Sequence, residues 1–113
     1  MKIIDDNLTI GELKKMASAM FGDFVKAVVD IEREALAVDA ELHSDLEALL
    51  LENGSRQEKL WGINLYPDEA GGGNFIEFDS MINMRPSNGN RSRGVDNPEI
   101  INKIAEIVLK KII

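Results

Sequence analysis

"VKAVVDIEREALAVDAELH", residues 25–43, decides the fold. In its first half Val25, Ala27, Val29 and Ile31 are apolar, while Lys26, Asp30 and Glu32 point the other way. In its second half Leu36, Val38, Ala40 and Leu42 alternate with Asp39, Glu41 and His43. A period of two belongs to strands with one buried and one wet face, which an antiparallel sheet allows. "IEFDSMINMR", residues 76–85, repeats the pattern with Ile76, Phe78, Ile82 and Met84 against Glu77, Asp79, Asn83 and Arg85. "LWGINLYP", residues 60–67, adds a strand that Pro67 ends, because proline cannot donate to a ladder.

On either side of these strands the period lengthens to that of a helix. Thr9 and Glu12 form a T-x-x-E capping box, followed by Ile10, Leu13, Met16, Ala17 and Met20 at three-to-four spacing, with Gly22 as a stop. Near the other end, Asn97 caps a helix that has Pro98 in its first turn and Glu99 at the positive end of its dipole. Ile100, Ile101, Ile104, Ile107, Val108 and Ile112 form its apolar stripe. "SDLEALLLENGS", residues 44–55, fits two readings. Ser44 and Glu47 could cap a short helix, but a strand entering an Asn53–Gly54 turn is favoured, since residues 49–65 then make one hairpin. The expectation is a single α+β domain over residues 1–113. It is an antiparallel meander of four to five strands with an N-terminal and a C-terminal helix packed on one face.

With 113 residues, 44% of them hydrophobic and 29% charged, the chain is of a size and composition to bury its own core. It has no cysteine, which excludes disulfides, thiolate metal sites and a cysteine nucleophile. The start "MKIIDDNLTIGEL" lacks the apolar core of a signal peptide, and no run has the length of a membrane span. A soluble, cytoplasmic protein with no membrane partner is expected. "DEAGGGN", residues 68–74, has three glycines without the spacing of a nucleotide-binding loop.

Charge is unevenly placed. Residues 1–84 carry 7 basic and 17 acidic side chains, whereas residues 85–113 carry 6 basic and 3 acidic, within a total of −7. The acidic body argues against bulk binding to nucleic acid, whose affinity comes from phosphate neutralisation. A local anion site in the basic part remains open. "MRPSNGNRSRGVDNP", residues 84–98, concentrates Arg85, Arg91 and Arg93 among glycine, asparagine and serine. Guanidinium forks suit carboxylate or phosphate, and the loop runs into a helix N-terminus. Arg85, Arg91 and Arg93 are therefore candidate anion-binding residues, with Asn83 and Asn90 orienting the ligand. A purely structural loop, its arginines folded onto Glu77, Asp79, Asp30 or Glu32, is the alternative.

The polar face of the sheet offers a second chemistry. His43 with Asp45, Glu77 and Asp79 supplies nitrogen and oxygen ligands for a divalent metal, which could activate a water for hydrolysis. No metal-binding spacing accompanies them. Carboxylates drawn from Glu77, Asp79, Asp30 and Glu32 could act as an acid/base pair, and Asn64 and Tyr66 could join that surface. A lone histidine and the absence of a G-x-S-x-G elbow leave little support for a triad. The sequence names no cofactor. Trp61, beside Gly62, reads as core, and open strand edges admit a homodimer.

The segments "VKAVVDIERE", "ELHSD", "LLLENGSRQEKLWGINLYP" and "EFDSMINMRPSNGNRSRGV" resemble a small uncharacterised prokaryotic family, a domain of unknown function of about this length. The resemblance implies a stand-alone protein and no particular chemistry. From the residues themselves, the expected role is a binding or regulatory domain. It would recognise an anionic small molecule or a protein partner through the arginine loop and the polar sheet face. The metal-assisted hydrolase is the alternative.

Overall fold

Thr9 opens the first helix as its sequence requires. Its Oγ1 accepts from the Glu12 amide at 3.0 Å, and Glu12 Oε1 accepts from the Thr9 amide at 3.2 Å. In a computed structural model describing residues 1–113, this helix, α1, runs Ile10–Ala19 and follows a two-residue strand, β1, Lys2–Ile3. Leu13 and Ala17 are its buried residues, and Gly22 (φ +98°) turns the chain out of it. The last helix, α3, spans Pro98–Lys111 with the Asn97 side chain accepting from the Glu99 amide at 2.9 Å. Ile104, Ile107 and Val108 face inward. The α+β class, with helices near both ends and an antiparallel sheet between them, is as the sequence predicts.

The central strands are β2, Val25–Asp30, β3, Ala35–Val38, and β4, Leu60–Leu65; β5 is the short pair Ile76–Glu77. In space the order is β1-β3-β2-β4-β5, with every neighbouring pair antiparallel. Chain order and spatial order thus differ. After β3 the chain crosses β2 and returns as β4, whose Val28↔Gly62 and Lys26↔Asn64 pairings fix the register.

That crossover is a helix, and it changes the expected layering. Residues 44–55 were expected to favour a strand; instead α2 occupies His43–Glu52, and Gly54 (φ +97°) lies just beyond it. Leu46 and Leu50, one turn apart, are buried. They pack with Val28, Ala37, Ala40 and Leu60 in a core of six buried residues. The opposite face of the sheet carries the larger core, where Val29, Leu36 and Ile63 meet α1 and α3. The sheet is therefore covered on both faces, not on one. Val28 and Ala37, apolar residues at positions the alternation assigns to water, are what α2 covers.

Two further strand readings stop short. The strand expected to continue to His43 ends at Val38, where Asp39 takes a left-handed φ of 75° and His43 starts α2. The strand expected over residues 76–85 keeps only Ile76–Glu77 and then becomes a 3₁₀ turn, Met81–Asn83. The turn packs closely on β4 at Gly62, where an added Cβ would come within 2.5 Å of Ser80 Cβ. Asp30, expected on a wet face, is fully buried. Its carboxylate accepts from the Glu32 and Arg33 amides at 2.9 Å and from Ser55 Oγ at 2.6 Å, closing the β2–β3 turn. No helix is long and apolar enough to cross a membrane.

Candidate functional site

The arginine loop is built by its asparagines. Arg85 and Asn90 exchange backbone hydrogen bonds of 2.8 and 3.2 Å around a 3₁₀ turn, Pro86–Asn88, that Gly89 (φ +87°) completes. Asn90 Nδ2 donates to the carbonyls of Asn83, Ser92 and Gly94, and its Oδ1 accepts from the Asp96 amide at 2.8 Å. Asn83 is fully buried; its amide group bonds both backbone groups of Gly62 and the Arg93 carbonyl. Both asparagines expected to orient a ligand thus hold the loop to itself and to β4. Asp96 accepts from Ser92 Oγ at 2.6 Å and from the Arg91 amide at 2.9 Å, and these bonds hold its carboxyl below the usual range.

The three arginines do not converge. Arg93 Nε donates to Asp79 Oδ1 at 2.6 Å in an exposed ion pair. Arg91 is exposed and its guanidinium has no hydrogen-bond or ion-pair partner. Arg85 is half-buried: it donates to the Gln57 carbonyl and, at 2.7 Å, to the Leu60 carbonyl, while its guanidinium lies 4.5 Å from the Trp61 ring centroid. Burial lowers its pKa, opposed by Glu47 and Glu58.

A hollow of about 480 Å³ opens beside that stack, with Trp61, Arg85, Asn88, Asn90 and Glu58 in its wall. Trp61 is core, as expected, at 5% exposure. Its Nε1 and the Nε of Arg85 are both buried donors without an acceptor. Indole N–H and guanidinium N–H cannot accept, so two residues of the wall each carry a buried donor that is left unpaired. Nothing in the sequence marks Trp61 for this, because an apolar strand residue next to glycine reads as packing alone.

A second hollow, about 380 Å³, lies at the first turn of α2 and contains the sheet residues that remain polar. Lys26, Asn64 and Glu77 are cross-strand neighbours on β2, β4 and β5. Asn64 Nδ2 donates to Glu77 Oε1 at 2.8 Å, which orients the amide, and Tyr66 Oη donates to the same oxygen at 3.2 Å. Asn64 Oδ1 is buried and has no donor. His43 Nε2 lies 2.8 Å from the Ile63 carbonyl; a carbonyl only accepts, so Nε2 carries the proton and the neutral ring presents a lone pair at Nδ1. Burial pushes the His43 pKa down, while the bond to Ile63, Asp79 and the adjacent Asn64 amide act against this.

His43, Glu77 and Asp79 line this second hollow, together with Arg93, but Asp45 does not. No group of three or more histidine and carboxylate side chains is arranged to hold a metal ion. The four carboxylates considered as acid/base partners are also divided. Asp30 pairs across from Leu60 and Glu77 from Asn64, four residues or about 13 Å apart along β4. Glu32, at the Asp30 end, is ion-paired with Arg56, which keeps its carboxyl below the ordinary range.

An antiparallel sheet enclosed by helices on both faces, with one polar hollow at the α2 end and another under the arginine loop, defines a small α+β domain. The chain belongs to the DUF5674 family, proteins of unknown function, whose family model matches residues 2–111. The resemblance to a family of unknown function is borne out across nearly the whole chain. Neither a curated protein nor a solved structure matches it.

Proposed function

We propose that this protein is a small binding domain that recognises a monoanionic molecule through a carboxylate seated in the Trp61–Arg85 hollow. The observation that carries the reading is the pair of buried donors, Trp61 Nε1 and Arg85 Nε, that have no acceptor. Leaving such a group unpaired costs about 1–3 kcal/mol, which an incoming acceptor recovers. A carboxylate has two oxygens and can satisfy both donors. Arg85 is already fixed by the Gln57 and Leu60 carbonyls and by Trp61, so little side-chain freedom is lost on binding. Glu58 in the wall and the chain's charge of −7 oppose a polyanion, which favours a carboxylate over a polyphosphate. The same group on an acidic side chain of a protein partner would fit the same chemistry.

Trp61 is the only tryptophan, so its emission reports on the site directly. Titration with small carboxylates, phosphate and nucleotides, at constant ionic strength, should give a saturable change with carboxylates. Calorimetry on Trp61→Phe, which keeps a ring but removes the N–H, should show weakened binding, and Arg91→Ala should bind as the parent does. If no carboxylate changes the emission or binds by calorimetry, the reading fails. A metal-dependent stabilisation lost in His43→Ala would favour the hydrolase alternative in its place.

A further inference from the structure

We infer that the hollow at the first turn of α2 is a binding site for a zwitterion, specifically a free α-amino acid with an apolar side chain. The site is separate from the Trp61–Arg85 hollow, and its argument begins with Asn64. This residue lines the hollow and is 6% exposed; its Nδ2 is held by Glu77, and its Oδ1 is buried without a donor. Beside it stands the His43 ring, 7% exposed, with Nε2–H directed at the Ile63 carbonyl and a lone pair left at Nδ1. With burial keeping the ring neutral, Asn64 Oδ1 and His43 Nδ1 are two acceptors side by side, and donors from outside can serve them. An ammonium has three.

The charges on either side set the polarity of the ligand. Across the sheet, Asn64 lies between Lys26 and Glu77, and neither of these is in an ion pair. Lys26 Nζ lies 5.4 and 5.9 Å from the Phe21 and Phe24 ring centroids. On its side the ten-residue α2 is preceded at its cap position by Leu42, whose side chain cannot cap, so the first-turn N–H groups at His43 and Ser44 lack a side-chain acceptor. A carboxylate directed at Lys26 and this helix end, with the ammonium directed at Asn64 Oδ1 and Glu77, matches both charges. The remaining pair, Arg93 and Asp79, neutralises itself. Leu42 and Met81, 57% and 63% exposed, also line the hollow and offer an apolar rest for the ligand's side chain.

The experiment is a thermal-shift and calorimetric screen of the twenty protein amino acids at millimolar concentration. An aliphatic amine and an aliphatic carboxylate of matching size serve as half-ligands. The expected result is that one or more of leucine, methionine, isoleucine, valine and phenylalanine binds, while aspartate, lysine and both half-ligands do not. Glu77→Gln and Lys26→Gln, each at a position outside the core, should weaken that affinity by about tenfold or more. Asn64→Leu should abolish it. Trp61→Phe should leave it unchanged, which separates this site from the one proposed above. Binding of the carboxylate half alone would make the site a simple anion site and overturn the inference, as binding of the amine alone would. Absence of binding by every amino acid, with the parent protein folded by circular dichroism, would overturn it as well.

Discussion

The Asn83 carboxamide bonds both backbone groups of Gly62: Oδ1 accepts from the Gly62 amide at 2.8 Å and Nδ2 donates to the Gly62 carbonyl at 3.0 Å. β5 pairs with β4 only at Asn64 and Leu65, so at Gly62 this side chain does what a neighbouring strand would do. The same Nδ2 reaches the Arg93 carbonyl at 2.9 Å, joining β4 to the arginine loop. Asn83→Ala should therefore lower unfolding free energy by about 2–4 kcal/mol, because buried groups on Gly62 and Arg93 lose their partner. Urea denaturation measures this; a loss under about 0.5 kcal/mol would show that the bridge is dispensable. Gly62→Ala should cost about 1–3 kcal/mol through overlap with Ser80, and Ser80→Gly in the same chain should recover part of it.

The buried His43 ring makes stability depend on pH in a definite direction. Its folded-state pKa is lowered from 6.5, so the unfolded chain binds the proton more readily than the folded one. The ring's contribution is fully present above about pH 6.5 and is lost as pH falls through the lower folded-state value. Melting temperature should decline on acidification from pH 7 to pH 5, before the lowered carboxyls of Glu32, Glu34 and Asp96 begin to titrate. His43→Gln should flatten that part of the profile. An unchanged slope in the variant would mean that another group controls it.

The three arginines should rank by their surroundings. Arg85→Ala should lower the melting temperature most, since it removes a half-buried stack on Trp61 and frees two carbonyls. Arg93→Ala breaks an exposed pair with Asp79 and should cost about 0–1 kcal/mol. Arg91→Ala should leave the melting temperature within error. Differential scanning fluorimetry on the three variants gives the order directly, and a large effect at Arg91 would contradict it.

Much of the fold is legible in the residues. The Thr9–Glu12 box, the Asn97–Pro98 start and the alternation of Val25, Ala27 and Val29 each specify local structure without help from distant parts of the chain. Residues 44–55 are different, because the Leu46–Leu50 helical spacing coexists with a run of three leucines and a turn-forming Asn–Gly. The choice rests on Val28, Ala37 and Leu60 needing cover, which is a property of the assembled sheet. The polar residues depend on the assembled sheet in the same way. Asp30 and Glu77 look alike in an alternating pattern, yet one closes a buried turn and the other flanks an open hollow. The unfilled groups on Trp61 and Asn64 depend on register and on where the 3₁₀ turns fall, and no sequence spacing encodes either.

Both outer strands of the sheet, β1 and β5, are only two residues long. Along the rest of β4, the Asn83 amide and the Met81–Asn83 turn occupy the side a further strand would take. A sheet bounded this way offers no extended row of free amides and carbonyls on which another chain could template itself. Short outer strands blunt the edge that fibril growth by strand addition would use, which matters in a sheet whose inner strands carry strand-prone Leu36, Val38 and Val29. What the two-residue outer strands leave exposed for contact is mainly helix and loop surface, where side chains rather than the backbone determine which partner fits.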